Sequence, residues 1–175
     1  HNLLAFGPPG CGKTLSLQRF PALVPLLTKE ESQSVTRIYS IAGILQAGTR
    51  IIKKAPFRQP HQTSTIEGMC GGGIHCSPGE ISLAHNGTLF LDEAAEFRTS
   101  VLQILRVPLE TGVVTLSRAG RSTIFPANFQ LLMSMNPCPC GNYGSKEKLC
   151  LCSARSVEQY WKKISAPLLD RIDLS

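Results

Sequence analysis

The sequence predicts an α/β domain built on a parallel sheet, and three observations carry that prediction. Short apolar runs recur, and each ends in a residue of evident chemistry: Asn2 to Phe6 at Gly7, Thr88 to Leu91 at Asp92, and Phe129 to Met135 at Asn136. Segments with helical periodicity or helix caps lie between these runs. Apolar runs this short fit strands buried on both faces, as in a parallel sheet packed between helices.

Composition sets the bounds. The 175 residues are 42% hydrophobic and 17% charged, with mean hydropathy +0.03, enough for one packed domain and too few for two. This excludes a disordered tail or a low-complexity linker. No apolar run approaches the ~20 residues of a bilayer span, and no charged-then-apolar leader is visible, so no membrane partner is expected. Seven cysteines, an odd number with Cys11 inside a phosphate-loop motif, suggest a reducing cytoplasm with metal-bound or free thiols. Both ends read as cut, so a domain of a longer chain is expected.

Taken in order, the first strand leads to a helix from Lys13 to about Phe20, stopped by Pro21. Thr28 with Glu31 three residues on forms a capping box for a helix running toward Tyr39. Residues 50–79 are rich in Pro, Gly, Ser and Thr and read as loop and insertion, with a short strand near Phe57. A short helix over 80–85 ends at Asn86-Gly87, before the second strand. Residues 98–110 have the pattern of one helix. Residues 113–117 and 122–125 flank Arg118-Ala119-Gly120-Arg121 as a hairpin. The third strand precedes a last helix over 153–164.

Four motifs carry chemistry. Gly7-Pro8-Pro9-Gly10-Cys11-Gly12-Lys13-Thr14 fits G-x-x-x-x-G-K-[ST] in full. Its glycines let backbone N–H groups turn inward onto a phosphate, Lys13 reaches the β- and γ-phosphates of ATP, and the Thr14 hydroxyl ligates Mg²⁺. Asp92, at the end of an apolar strand about 80 residues later, is placed to approach the same Mg²⁺. Glu93 is then positioned to polarise the attacking water. Asn136 either caps a turn before Pro137 or faces the γ-phosphate and orients that water. Arg171, flanked by Asp170 and Asp173, reads as a surface ion pair or as an arginine finger for a neighbouring ATP site.

Together these residues resemble an AAA+ ATPase. Pro56-Phe57-Arg58-Gln59-Pro60-His61, the triple glycine at 71–73, residues 78–87 and Leu168-Leu169-Asp170-Arg171 narrow the resemblance to the magnesium-chelatase-like family, and within it to the ComM/YifB branch of DNA-acting ATPases tied to natural transformation. The resemblance implies a five-stranded parallel sheet, a helix-2 insertion at 50–79 and a hexameric homo-oligomeric ring. It also makes Glu93 the catalytic glutamate, Asn136 the sensor-1 residue and Arg171 the trans-acting finger. The 113–125 hairpin matches the pre-sensor-1 hairpin that projects into the ring's pore, so Arg118 and Arg121 would touch a DNA backbone. By the same resemblance, the helical lid with its sensor-2 arginine and the amino-terminal domain of the full-length relatives are expected to lie outside these 175 residues. Weak nucleotide binding and slow hydrolysis are therefore expected of this segment alone.

Charge placement bears on the DNA reading. No acid occurs over 32–66 or 111–146, where Arg37, Arg50, Lys53, Lys54, Arg58, Arg118, Arg121 and Lys146 are basic. Such stretches are either solvated faces or tracks for an anionic polymer.

Cys138, Cys140, Cys150 and Cys152 form C-x-C, nine intervening residues, C-x-C. They are candidate zinc ligands, with free or oxidation-prone thiols as the alternative. Cys70, Cys76 and His75 read as loop residues, and His61 and His85 as structural. Three functions compete: an ATP-driven DNA motor, a magnesium-chelatase motor subunit powering metal insertion into a porphyrin, and a nucleotide-dependent assembly module.

Overall fold

The computed structural model describes residues 1–118, 121–145 and 148–174. The side chains of Arg118 and Arg121 lie outside the described residues, as do Lys146 and the hairpin tip Ala119-Gly120. Four strands form the central sheet: β1 (Leu3–Phe6), β2 (Phe57–Arg58), β5 (Thr88–Leu91) and β8 (Gln130–Met135). They lie in the order β1-β8-β5-β2, and every pair is parallel. The five strands expected thus appear as four. On the free side of β1, Leu174 adds a single parallel bridge to Leu3, with the Leu4 N–H donating to the Leu174 carbonyl at 2.9 Å.

Side-chain alternation along these strands builds two apolar layers. Leu4, Leu89, Leu91, Leu131, Met133 and Met135 face the larger one. There they pack on α4 (Glu80–Leu83), α5 (Thr99–Gln103), α7 (Ala154–Trp161) and α8 (Ala166–Leu169) through Ile81, Val101, Leu102, Tyr160 and Leu168. Phe90 and Leu132 face the other way, with Leu3, Ala5 and Phe57, and meet Leu17 of α1 (Lys13–Arg19). Burial on both faces explains why β5 is apolar throughout its last three residues.

Helix α2 (Lys29–Ile41) begins where its capping box predicts: the Thr28 hydroxyl accepts the Glu31 N–H at 3.3 Å, and the Glu31 carboxylate accepts the Thr28 N–H at 2.8 Å. The helix expected over 98–110 is instead two pieces, α5 and α6 (Arg106–Thr111). Pro108 has no N–H to offer the Ile104 carbonyl and its ring crowds that oxygen, so the chain restarts with Pro108 in the first turn of α6, where N–H groups lack helical partners anyway.

The 50–79 region contains more than loop. After β2 come α3 (Ile66–Cys70) and a two-rung antiparallel pair, β3 (Gly71–Gly72) with β4 (Ser77–Pro78). A Cβ on Gly71 would lie 2.2 Å from the Ser77 carbonyl oxygen, so this close strand approach requires glycine there. Arg58 forms a bidentate pair with Glu80, both contacts 2.7 Å, which ties the sheet edge to α4. That cation of the acid-free stretch is therefore satisfied within the fold. Finally β6 (Val113–Arg118) and β7 (Arg121–Pro126) form the expected hairpin, whose last rung pairs the backbones of Arg118 and Arg121.

Leu132 is fully buried against Phe90 and α1. Leu132→Ala should lower unfolding stability by about 2–5 kcal/mol, read from the urea midpoint; an unchanged midpoint would show that the smaller apolar layer contributes little.

Candidate functional site

The strand register assembles the site. Phe6 lies opposite Met135, which sets Gly7, the start of the phosphate loop, beside Asn136. Leu91 lies opposite Met133, which sets Asp92 beside Ser134. Alternation then turns Asp92 and Ser134 toward the α1 layer, because Leu91 and Met133 face the other one. Lys13, Thr14, Glu93 and Asn136 consequently line one cleft of about 330 Å³, with Pro9, Gly10, Gly12, Leu15, Ser134 and Met135.

Contacts in the cleft are specific. The Lys13 ammonium donates to the Gly7 and Pro8 carbonyls at 2.7 and 2.9 Å and to the Asn136 Oδ1 at 3.3 Å. The Thr14 hydroxyl donates to Asp92 Oδ1 at 2.8 Å. Gly7, Gly10 and Gly12 all have positive φ, and a Cβ on Gly7 would press on the Cys11 sulfur at 3.3 Å. This is the backbone a phosphate-cradling loop needs, and no acidic residue stands in the first turn of α1 to repel an anion. Mg²⁺ fits the hard oxygen donors of Thr14 and Asp92, where it would offset phosphate charge.

Glu93 has φ 52° and ψ 53°, a left-handed conformation that is strained for a side chain of its size. Its N–H donates to the Ser134 hydroxyl at 2.9 Å, and that hydroxyl donates to Asp92 Oδ1 at 2.5 Å. Ser134, 1% exposed, thus holds both acids and is the functional residue that motif reading missed. Its signal was a lone hydroxyl within the apolar run from Leu131 to Met135.

Below Asn136, the Trp161 indole donates to the Pro137 carbonyl at 3.0 Å and meets Phe6 edge-on at 5.7 Å. Burial, with Glu96 and Glu93 nearby, pushes the Tyr160 hydroxyl up to about 12, so it stays protonated beside Asn136.

Arg171 is not among the residues lining this cleft; its guanidinium pairs with Glu110 at 3.0 Å. The Cys138, Cys140, Cys150 and Cys152 sulfurs all lie within 4.8 Å of one another. Among the described residues they are the only such grouping; Cys70, Cys76 and His75 do not form one. His85 is structural, its Nδ1 accepting the Asn128 N–H at 3.1 Å, and His61 bonds Thr63 at 2.8 Å.

A parallel sheet whose strand ends deliver a phosphate loop, two acids and an amide to one cleft defines a P-loop core of AAA+ type. This chain belongs to the magnesium chelatase family: the family described as magnesium chelatase, subunit ChlI, matches residues 1–175. Competence protein ComM of Haemophilus influenzae is 43% identical over 176 residues, covering all of this chain and 34% of that protein. The uncharacterized YifB of Escherichia coli is 43% identical over 175 residues with the same coverage. An uncharacterized Mycobacterium tuberculosis protein, Rv2897c, is 46% identical over 99% of this chain and 34% of its own length. The chain thus spans about a third of these relatives. Among solved structures, a chain of the complex between subunits BchI and BchD of magnesium chelatase shares the fold, with TM-score 0.61 and 24% identity over 78% of this chain and 47% of that one. The α/β expectation is met.

Ser134→Ala should cost about 1–3 kcal/mol of stability, because the Glu93 N–H loses its partner inside the fold. Hydrolysis should fall while nucleotide affinity, measured with a fluorescent ATP analogue, stays within about threefold, since Ser134 holds the acids and not the phosphate loop. A turnover rate equal to the parent's would show that the acids keep their places without it.

Proposed function

We propose that this chain is the ATP-hydrolysing core of a motor that acts on DNA, working as a homo-oligomeric, six-membered AAA+ ring that drives branch migration during recombination of incoming strands. The observation that carries the ATPase half is the convergence of Lys13, the Thr14–Asp92 pair, Glu93 and Asn136 on one cleft. In this reading the phosphate loop from Gly7 to Thr14 binds ATP, Lys13 neutralises the β- and γ-phosphates, and Thr14 with Asp92 holds Mg²⁺. Glu93 takes the proton of the attacking water, which Asn136 orients from its position against Lys13. Fixing those groups before the substrate arrives is what the Ser134 bridge contributes.

Arg171 serves as the finger for the next subunit's cleft. Its exposed pairing with Glu110 is of the kind that costs little to exchange. The DNA half rests on the hairpin of β6 and β7, whose tip carries Arg118 and Arg121 in a chain segment without acids. The 43% identity to a competence protein, over all of this chain and 34% of that protein, supports it. A cytoplasmic setting belongs to this reading; no described helix is long and apolar enough to cross a membrane.

The second reading, a motor subunit that powers metal insertion into a porphyrin, draws on the family's name and on the shared fold of the magnesium chelatase chain. The two readings part on DNA. In the full-length protein, forked or single-stranded DNA should raise the ATPase rate, and DNA affinity should fall steeply with salt. Replacing Arg118 and Arg121 together with Ala should abolish the stimulation and leave basal turnover intact. A rate indifferent to DNA, with porphyrin-dependent Mg²⁺ insertion in its place, would transfer the assignment to the second reading. Glu93→Gln should retain ATP and lose turnover by about 10²-fold or more, as expected for removing a general base; continued hydrolysis refutes the base assignment.

A further inference from the structure

The described residues of the long loop after Asn136 bury little apolar side chain. Across 138–152 Cys138 is fully buried, whereas Tyr143, Leu149 and Leu151 stand 57%, 80% and 85% exposed. A segment that leaves its large apolar side chains in water is held by something other than hydrophobic burial. What gathers it is sulfur. The Cys138, Cys140 and Cys150 Sγ atoms are separated by 3.4, 3.7 and 3.6 Å, and Cys152 completes the set within 4.8 Å. Four thiolates at about 2.3 Å from one tetrahedral Zn²⁺ lie about 3.8 Å apart, close to the observed separations.

Two alternatives fit less well. Disulfides would draw the sulfurs into two bonded pairs, whereas the Cys138, Cys140 and Cys150 sulfurs are nearly equidistant and none of the four is bonded. An iron–sulfur cluster spreads its thiolates around a multi-atom core, wider than this grouping. The surrounding backbone suits thiolates: the Tyr143 N–H donates to the Cys138 sulfur at 3.3 Å, and the Asn142 backbone hydrogen-bonds the Cys140 sulfur. The turn they form runs through Gly141 at φ 78°.

That turn meets the nucleotide cleft. A Cβ on Gly141 would fall 2.8 Å from Pro9 Cδ, so the cysteine loop packs directly on the phosphate loop. Between them lies a cavity of about 480 Å³, walled by Pro8, Pro9 and Cys11 on one side and Asn142, Gly144 and Lys148 on the other. Cys138 stands two residues beyond Asn136, and the Trp161 indole fixes the Pro137 carbonyl between them.

We infer that Cys138, Cys140, Cys150 and Cys152 bind one structural Zn²⁺, and that the loop this ion closes is a wall that holds the phosphate loop in its binding shape. Binding replaces four S–H bonds with four Zn–S bonds and releases four protons to solvent. The metal site stands on the sulfur geometry alone; the coupling to ATP rests on the nucleotide reading above.

The test uses the full-length protein purified without chelator. Elemental analysis should find one zinc per chain, and Co²⁺ exchanged into the site should give the visible bands of tetrahedral thiolate coordination. The double variant Cys150→Ser, Cys152→Ser should lose the metal, keep its helical circular dichroism and bind a fluorescent ATP analogue about tenfold more weakly, as lost preorganisation predicts. Should that variant not fold, stripping the parent with chelator and restoring Zn²⁺ should lower and then recover ATP affinity. Absence of zinc with no Co²⁺ uptake, or thiol counting that reveals disulfides among these four residues, overturns the site. Zinc present but ATP affinity indifferent to its removal overturns the wall. A parent protein that holds zinc and binds no ATP sinks the nucleotide reading, and the wall with it, while the metal site stands.

Discussion

The position of β8 between β1 and β5 is the constraint on which the cleft depends. In a parallel sheet all three carboxyl ends point the same way, so whatever follows each strand meets its neighbours at one edge. The registers Phe6 to Met135 and Leu91 to Met133 then fix which residues meet. A slip of β8 by one residue would turn Ser134 into the larger apolar layer and pull Asn136 away from Lys13. Both apolar layers resist such a slip, since each would receive side chains of the wrong shape. The packing of Leu132 on Phe90 and of Met133 on Leu91 is thus part of the site's precision.

That edge also concentrates what the fold tolerates only at a cost. Glu93 sits in left-handed backbone that a glycine would occupy freely, and Ser134 places a hydroxyl among the Leu and Met residues that follow Gln130 in β8. The two are linked: the Ser134 oxygen accepts the Glu93 N–H and donates to Asp92. A buried hydroxyl with both roles filled carries little penalty, and the strain at Glu93 is held by the bond it makes. Consecutive acids would otherwise project to opposite sides of an extended strand. The left-handed turn at Glu93 instead lets Asp92 face Thr14 while Glu93 reaches the same cleft.

Much of this was legible in the residues. The three strand ends, the capping box at Thr28 and the hairpin follow from short-range chemistry, namely apolar runs, an Oγ three residues before a carboxylate, and an Ala-Gly turn. The insertion was legible only as loop with a short strand near Phe57, found as β2; the elements after it were not. Helix α3 is only five residues long and contains Gly68, so no periodicity marks it, and its sign is a single cap in which Thr65 accepts the Gly68 N–H at 3.0 Å. The purpose of Gly71 likewise lies in a strand approach that sequence does not display. The break between α5 and α6 was hidden because apolar spacing continues across it, while the cause, Pro108, acts four residues upstream on the Ile104 carbonyl. Ser134 escaped because its partners are distant in sequence and near only through the sheet.

Electrostatics carries the argument from one chain to several. Lys13 is the one cation among the described residues that line the cleft, so Lys13 and a single Mg²⁺ leave part of a triphosphate's charge unmet. Among other described cations, Arg58 is committed to Glu80 in a half-buried bidentate pair, and withdrawing it would leave that carboxylate uncompensated. Arg171 is different. Its partner Glu110 is largely solvent-exposed, so water can replace the guanidinium at little expense. Under the proposed function, a cation held loosely at the surface and away from its own cleft is one that a neighbouring copy's phosphates would recruit, and completion of each site would then depend on assembly.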